Sequence, residues 1–361
     1  MPKLIDITGK AISGEWGQEA LEGKGIPVLR TTNFTNEGII KYDDVVTRHI
    51  TKKNIADKML RKGDIIIEKS GGSDKQPVGR VVYFEGEENK FLFNNFTGLL
   101  RVKDTKKWMP RYVFYSLYGN YINGGTKAFE NRTTGLHNLQ TDNYVMSTEV
   151  RDVTLDEQDQ IVKQLDSILE LIAKHRKQLE FLDVLVKSRF IELFGEPTTN
   201  SKNWKCVRFD SLCENFDGRR RPITSTDREA GPYPYYGASG IVDYVAGYIF
   251  DEDILLVSED GANLLARSTP IAFSVRGKVW VNNHAHVLKF SNFALQKYVE
   301  YYFSMISIED YITGSTQPKL NQAKLNSMMI PLPSTNLQEV FMYFVVEVDK
   351  SKHFSELEVA A

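Results

Sequence analysis

Histidines and acid–base pairs are the side chains most able to do chemistry, so their spacing is the first test for catalysis or metal binding. His284 and His286 alternate along a predicted strand, which places one on each face, and no third ligand lies near them in the sequence. Glu88 and Lys90 have the Glu-x-Lys spacing of metal-dependent nucleases, but they lie in an acidic turn that is typical of a solvated hairpin. Neither pair predicts a metal site.

Nucleotide and cofactor motifs are incomplete in this chain. Gly9 to Gly14 have the glycine spacing of a phosphate-binding loop, but Glu15 stands where that loop needs lysine and would repel phosphate. The sequence has no Pro-Pro pair for the loop that holds a flipped base in amino-methyltransferases. We therefore predict no catalytic residue, no cofactor-binding site and no metal site, and a protein that is not an enzyme.

Several loops are rich in hydroxyl, amide and basic side chains, which are the groups that contact bases and phosphates in nucleic acids. These loops fall at 69–80, 130–138, 218–228, 258–268 and 315–321. The candidate DNA contacts within them are Lys69, Ser73, Lys75, Arg80, Arg132, Thr133, Thr134, Arg219, Arg220, Arg221, Asn263, Arg267, Thr316, Gln317 and Lys319.

Each candidate loop also has a simpler interpretation. Arg219, Arg220 and Arg221 form the densest basic cluster, and this cluster is either a phosphate clamp or a solvated loop. The other loops either contact DNA or only hold a polar segment against the helix of their own domain.

A long central helix must position these loops. Thr154 and Glu157 form a capping box at its start, and Gly195 followed by Pro197 ends it. Its ~40 residues would span roughly 60 Å. Charged residues leave only a narrow apolar stripe, which favours a coiled-coil seam over a core helix of one large domain. The predicted seam consists of Ile161, Leu165, Ile168, Ile172, Leu179, Leu182, Val186 and Leu193.

The segments on either side of this helix repeat one order of events. A strand start, a buried strand with a glycine loop, paired strands, an aromatic helix and a polar loop occur before the helix and again after it. The predicted domains are therefore a first α+β domain at 1–153, the central helix at 154–196, a second α+β domain at 197–333 and a C-terminal helix at 334–361.

Composition sets the broad class. The chain has 361 residues, a net charge of −2 and no apolar run long enough to cross a membrane, so we expect a cytoplasmic protein. Cys206 and Cys213 are not at metal-ligand spacing and are expected to be free thiols. The near-zero charge is not that of a protein that binds DNA strongly by itself.

Three segments carry a family resemblance: the glycine-loop strands at 63–72 and 251–263, the run from Thr316 to Pro333, and the helix start from Leu155 to Ile168. With the duplication, these segments resemble the DNA specificity (S) subunit of type I restriction–modification systems. The resemblance covers nearly the whole chain.

That resemblance implies an α+β fold with two tandem target-recognition domains, separated by a long coiled-coil helix on which a second, shorter C-terminal helix packs. It implies that each domain reads one half of a split site in double-stranded DNA. It also implies that the helices dock methyltransferase (M) subunits and that a restriction (R) subunit joins the assembly. S-adenosylmethionine, ATP and Mg would be bound by those partner subunits and not by this chain.

Two departures from the family pattern leave alternatives open. The second helix matches barely the first half of the central one, and the loop at 130–140 lacks the Pro-Lys-Leu of its counterpart. One alternative is a truncated subunit from a shuffling locus that self-associates through its short helix. Another is a two-domain binding scaffold that does not bind DNA.

Overall fold

The computed structural model describes residues 1–20, 24–52, 55–73, 76–133, 136–314 and 316–360, apart from the side chains at 132, 133, 136 and 354–360. The chain divides into two compact units, Met1–Glu170 and Leu171–Ala361. One helix passes through the boundary between them.

The first unit is an α+β domain followed by the first part of that helix. Its elements are α1 (Leu4–Thr8), β1 (Ile12–Ser13), β2 (Gln18–Glu19), β3 (Ile26–Leu29), β4 (Val46–His49), β5 (Ile65–Glu68), β6 (Ser70–Gly72), β7 (Val81–Tyr83), β8 (Leu92–Phe93), β9 (Thr97–Leu100), α2 (Pro110–Ile122), β10 (Glu130–Thr133), β11 (Leu136–Leu139), α3 (Thr141–Ser147) and α4 (Leu155–Phe194).

The second unit begins within α4 and ends in a helix. Its further elements are β12 (Cys206–Arg208), β13 (Cys213–Asn215), β14 (Ala230–Gly237), β15 (Gly240–Val245), β16 (Phe250–Asp251), β17 (Ile254–Ser258), α5 (Asn263–Ala266), β18 (Ala272–Val275), β19 (Lys278–Val281), β20 (Ala285–Phe290), α6 (Phe293–Met305), α7 (Gln322–Ser327), β21 (Met329–Pro331) and α8 (Thr335–Ala360).

The two units share one sheet plan except at the edges of the second sheet, where β2 pairs with β4 in the first unit and β16 pairs with β19 in the second. A four-stranded sheet has the order β1-β9-β5-β7 in the first unit and β13-β20-β17-β18 in the second. A second four-stranded sheet has the order β2-β4-β3-β8 in the first and β15-β14-β19-β16 in the second, and each contains one parallel pair, β3 with β8 and β14 with β19. The predicted internal duplication is therefore present in the fold.

The strands β5 and β17 are buried on both faces, which explains their continuous apolar sequences. Ile65 and Ile67 of β5 join the core beneath α2, whereas Ile66 faces a second core between the sheets. In β17, Leu255 and Val257 join the core beneath α6, while Ile254 and Leu256 face the second core.

The central helix begins and ends as the sequence predicts. Glu157 accepts a hydrogen bond from the backbone N–H of Thr154 at 2.9 Å, and the Thr154 hydroxyl accepts one from the Glu157 N–H at 3.3 Å. Gly195 has φ +82°, the left-handed conformation that ends many helices. The side chain of Gln158 is buried and donates to the carbonyls of Lys107 and Val153.

The predicted apolar seam is placed in two different cores. Ile161 and Leu165 pack against the core of the first unit, and Leu182, Val186 and Leu193 pack in the core of the second. Ile172 and Leu179 are half-buried.

The seam prediction is wrong at Ile168, which is 52% exposed. Leu169 packs in its place, together with the fully covered Val162. The physical reason is that this half of the helix packs against the domain that precedes it. The buried positions are those that contact this domain, and they do not follow a single heptad repeat.

The C-terminal helix packs on the last turns of α4, as the sequence predicts. Phe341, Val345 and Val348 are buried in the core of the second unit. The ring of Phe341 lies edge-on to Phe190, with 5.3 Å between centroids.

Two predictions of local structure are wrong. The segment 127–140 is not a polar loop, because β10 and β11 form an antiparallel hairpin in which Thr133 faces Leu136, and this hairpin extends onto β6. Its strands lack apolar alternation, so pairing with β6 and not patterning decides their structure. In the described part of 51–61, only a 3₁₀ turn at Ala56–Lys58 replaces the predicted helix. None of the helices described here is long and apolar enough to cross a membrane.

We expect Phe190→Ala to destabilise the second unit. Phe190 is 1% exposed, stacks on Tyr298 with 5.5 Å between centroids, and contacts Phe194 and Phe341. Its truncation should lower the free energy of unfolding by about 3 to 5 kcal/mol, because a cavity remains in a rigid aromatic cluster. Urea unfolding followed by tryptophan fluorescence measures this loss.

Phe181→Ala on the same helix is the matched control. Phe181 is 61% exposed, so its truncation should change the free energy of unfolding by no more than about 0.5 kcal/mol. Equal losses in the two variants would contradict the proposed packing.

Candidate nucleic-acid interface

The first unit has an open cleft at the point where β11 ends and α3 begins. The cleft has a volume of about 610 Å³. Strand β11 contributes to it through its antiparallel pairing with β6, in which Asn138 faces Ser70. Its lining consists of Ala11, Ser13, Lys69, Ser70, Asn95, Phe96, Asn138, Leu139, Gln140, Thr141, Asp142 and Asn143.

Amide side chains dominate the polar lining of this cleft. Asn143 donates to the side-chain oxygen of Gln140 at 2.8 Å, which orders both amides. Asn138 is half-buried and Asn95 is exposed, and neither makes a side-chain hydrogen bond within the described residues. Phe96 adds an apolar ring that is 52% exposed. The cleft therefore offers paired donors and acceptors beside an apolar surface.

Lys69 is the cation in the cleft. It donates to the hydroxyl of Ser13 at 2.9 Å. Burial lowers the pKa of Lys69, and repulsion from Lys58 lowers it further, while Asp142 acts in the opposite direction. With an acidic neighbour in the lining, the cleft is suited to hydrogen bonding with base edges more than to binding a phosphate as a strong anion site.

Arg80 has an internal role in the first unit. It makes two bonds of 3.0 Å to Glu68, whose side chain is 1% exposed, and it also donates to the carbonyls of Phe34 and Thr31. All three guanidinium nitrogens donate hydrogen bonds, and the side chain is only 13% exposed. Arg80 therefore joins three segments of the first unit.

Among the other candidates of the first unit, Ser73 is the one whose side chain lies in the described part of the structure. The Ser73 hydroxyl accepts a hydrogen bond from the Gln76 backbone N–H at 3.2 Å, within a turn. Arg132 and Thr133 lie on β10, and their side chains are outside the described part of the structure. Lys75 and Thr134 lie outside the described residues altogether.

The three consecutive arginines of the second unit have three different environments. The guanidinium of Arg219 lies over the rings of Phe216 and Phe250 and pairs with Glu252 at 2.9 Å. Arg220 is mostly buried and donates to Glu259 at 2.6 Å. Arg221 is exposed. The sequence predicted one cluster that is either a phosphate clamp or a solvated loop, but only its outer members, Arg219 and Arg221, face solvent.

Asn263 and Arg267 hold a tight turn after β17. Asn263 accepts from the Thr269 N–H at 3.0 Å and donates to the Thr269 carbonyl at 3.0 Å. Arg267 adopts φ +51° and donates to the carbonyls of Phe303 and Ile306 at 2.9 Å, so it satisfies free carbonyls at the end of α6. Both residues therefore have structural partners.

The remaining candidates lie on one exposed loop of the second unit. Thr316 and Gln317 are exposed, and Lys319 is half-exposed with its ammonium group 3.1 Å from Glu259. This loop is attached to the turn after β17 because Gly261 donates its N–H to the Pro318 carbonyl at 3.0 Å.

Beneath these loops lies a buried ionic cluster that sequence reasoning missed. Asp217, Glu259 and His286 bring one ligand atom each within 4.8 Å of one another. Arg220 is bonded to Glu259 and lies 3.5 Å from Asp217, and the two nitrogens of His286 already face protein oxygens. The cluster is therefore an internal ion-pair network. Residues so far apart in the chain leave no local spacing signal for it.

The cations of the network determine the charge of its carboxyl groups. Burial alone would raise the pKa of Asp217, but its hydrogen bond from His286 and the positive charges of His286 and Arg220 hold that pKa below its ordinary value. Burial likewise opposes ionisation of Glu259, and bonds from Arg220 and Lys319 together with the charge of His286 lower its pKa. Both groups are carboxylates at neutral pH.

The chain thus contains two similar α+β units, each with polar loops and a buried ion pair. The model of the type I restriction modification DNA specificity domain matches residues 4–182 and 201–356. The chain therefore belongs to the type I restriction–modification DNA specificity family.

A curated relative supports this membership. The chain is 33% identical over 135 residues to a putative type I restriction enzyme specificity subunit, S.HindORF215P, of Haemophilus influenzae. That match covers 37% of this chain and 34% of the relative, so the chain spans about a third of the length of the curated relative it matches.

Solved structures share the fold. One is the S subunit of a type I restriction–modification system from M. genitalium, with a TM-score of 0.57, 17% identity, and coverage of 99% of this chain and 91% of that one. Another comes from a study of complex assembly and conformational transition of the type I R-M system, with a TM-score of 0.55, 15% identity, and coverage of 99% and 93%.

We expect Arg80→Ala to lower the stability of the first unit. Removing one partner from a buried ion pair leaves Glu68 as an uncompensated charge, which costs about 3 to 5 kcal/mol. Urea unfolding of the isolated chain measures the change. Lys163→Ala removes the exposed pair with Asp159 on α4 and serves as the control, with no measurable change expected. An Arg80 variant as stable as the parent would contradict the internal role.

Proposed function

We propose that this chain is the non-catalytic reading subunit of a type I restriction–modification complex, and that each unit reads one half of a split site in double-stranded DNA. The observation that carries the proposal is the duplicated fold within a DNA specificity family. Two similar readers on one chain suit a target with two separate halves.

The first unit would read bases through its amide-lined cleft. Asparagine and glutamine can donate and accept at once, which matches the edge of adenine in the major groove. Asn138 supplies such a group on β11, and Lys69 supplies a cation in the same cleft. In the second unit, the exposed Arg221, Thr316 and Gln317 offer the corresponding polar surface.

The partners would dock on the helices. Helix α4 keeps an apolar set on its surface that its own units leave uncovered, and such surfaces mark sites of protein association. Methyltransferase and restriction subunits would occupy it and would carry S-adenosylmethionine, ATP and Mg; a second copy of the chain is the competing occupant. The exposed set is Ile168, Leu171, Phe181, Val184, Leu185 and Ile191.

The continuous helix α4 would fix the unread gap between the half-sites. It runs without interruption from Leu155 to Phe194. A helix is stiff over this length, so its number of residues is a suitable measure of separation. A low net charge of −2 further predicts that the chain alone binds DNA weakly and that its partners supply phosphate contacts.

Duplication of residues 172–178 within α4 should lengthen the tolerated gap. Seven residues add about 10.5 Å with a rotation of only about −20°, which corresponds to roughly three base pairs. Sequencing of modified bases in a host that carries the variant and its partner subunits measures the methylated motif. We expect a longer gap between two unchanged half-sites.

A two-residue insertion at the same place is the control. It rotates everything beyond it by about 200° and should abolish modification. An unchanged gap in the seven-residue variant would contradict the role of α4 as a spacer.

Asn138→Ala should relax the first half-site at one base pair. A good bidentate pair between an amide and a base contributes about 1 to 3 kcal/mol of discrimination, or roughly 5- to 150-fold in preference. Selection from randomised duplexes with the assembled complex measures this ratio. Asn123→Ala, an exposed asparagine at the end of α2 outside the cleft, should leave both half-sites intact. Unchanged specificity in the Asn138 variant would exclude this residue as a base contact.

A further inference from the structure

We propose that His286 is a positioning residue for DNA reading by the second unit, and that it holds three recognition loops together as a doubly protonated imidazolium. The inference rests on the proposed function, because it assumes that this unit reads a half-site. It concerns a buried side chain that contacts no DNA itself.

Both ring nitrogens of His286 face oxygen acceptors. Nδ1 lies 2.6 Å from a carboxylate oxygen of Asp217, and Nε2 lies 2.8 Å from the carbonyl oxygen of Leu320. A backbone carbonyl has no proton to donate, so Nε2 must carry one. The residue is 1% exposed, so no water replaces either partner without rearrangement.

The other nitrogen must be protonated as well. The second oxygen of Asp217 accepts the Val287 backbone N–H at 2.8 Å, which favours a carboxylate. An ionised Asp217 has no proton to give, so the bond to His286 is formed by the Nδ1–H of the ring. With both nitrogens donating, the ring carries a positive charge.

Among the described residues, the charged groups near this imidazolium lie on the polar loops of the second unit. Glu259 lies 3.8 Å from Nδ1 and is itself bonded to Arg220 and Lys319. Beyond it, Asp260 is paired with His284 at 2.9 Å. The carboxylates of Asp217 and Glu259 thus balance the buried cations.

The network joins three segments that are far apart in sequence. Asp217 begins the turn that presents Arg219 and Arg221. Glu259 directly follows β17, and its backbone carbonyl accepts the Leu320 N–H at 2.8 Å. His286 bonds to the first segment and, through Leu320, to the loop that carries Thr316 and Gln317, so one ring determines the relative positions of all three.

Loss of one proton would break this arrangement. A neutral imidazole has a single N–H, so either the Asp217 carboxylate or the Leu320 carbonyl would face a nitrogen lone pair. The doubly protonated ring is therefore the form that satisfies both acceptors at once.

Two variants in the assembled complex test the proposal. His286→Ala should reduce the preference for the correct second half-site by at least tenfold while the preference for the first half-site is retained. His353→Ala is the matched control: His353 is exposed on α8 of the same unit, away from the three loops, so its loss should leave both preferences unchanged. Competition binding with duplexes altered in one half at a time measures each preference.

Asp217→Asn supplies a readout that a purely structural role would not change. The side-chain amide of the new asparagine can donate to Nδ1 of a neutral His286 ring, while Nε2–H still donates to the Leu320 carbonyl. This variant should therefore keep its preference for the correct second half-site at neutral pH. Asp217→Ala offers Nδ1 neither an acceptor nor a donor, so it should lose that preference as His286→Ala does.

Three results would overturn the inference. One is a His286→Ala complex that keeps its second-site preference, and another is an Asp217→Asn complex that loses this preference to the same extent as Asp217→Ala. A His286→Ala loss that extends equally to the first half-site would show general unfolding. If the parent complex discriminates at neither half-site, the proposed function itself fails.

Discussion

Burial of one strand on both of its faces is the constraint on which each unit depends. The apolar residues of β5 and β17 point in both directions, so each strand needs a helix on one side and a second sheet on the other. This requirement produces the same two cores twice. It also places the ends of these strands, with their glycine loops, beside the hairpins and turns that carry polar side chains.

Charged residues near those strand ends are turned largely inward. Glu68 and Arg80 close a buried pair in the first unit, and His286 with Asp217, Glu259 and Arg220 closes a larger network in the second. Buried charges must be paired, so part of the basic content of the loops is used to hold the loops in place. The surface keeps amide and hydroxyl groups, such as those of Thr316 and Gln317, beside the exposed Arg221.

The central helix serves both units without presenting one continuous apolar edge to a single partner. Its early turns pack on the first domain through Val162 and Leu169. Its last turns pack on the second domain and the C-terminal helix through Phe190 and Phe194. The apolar residues left on its surface, such as Phe181, are those that a partner subunit would cover.

The sequence by itself determined the class of fold, the duplication, the two buried strands and both ends of the central helix. Each of these depends on local patterns: apolar runs, capping residues and a glycine in the left-handed conformation. Only the tertiary structure decided that Arg80 and Arg220 belong to the interior, that Ile168 lies outside the packed face, and that His286 joins three loops. Those outcomes depend on contacts between segments tens of residues apart, and distance along the chain carries no information about which distant groups will meet.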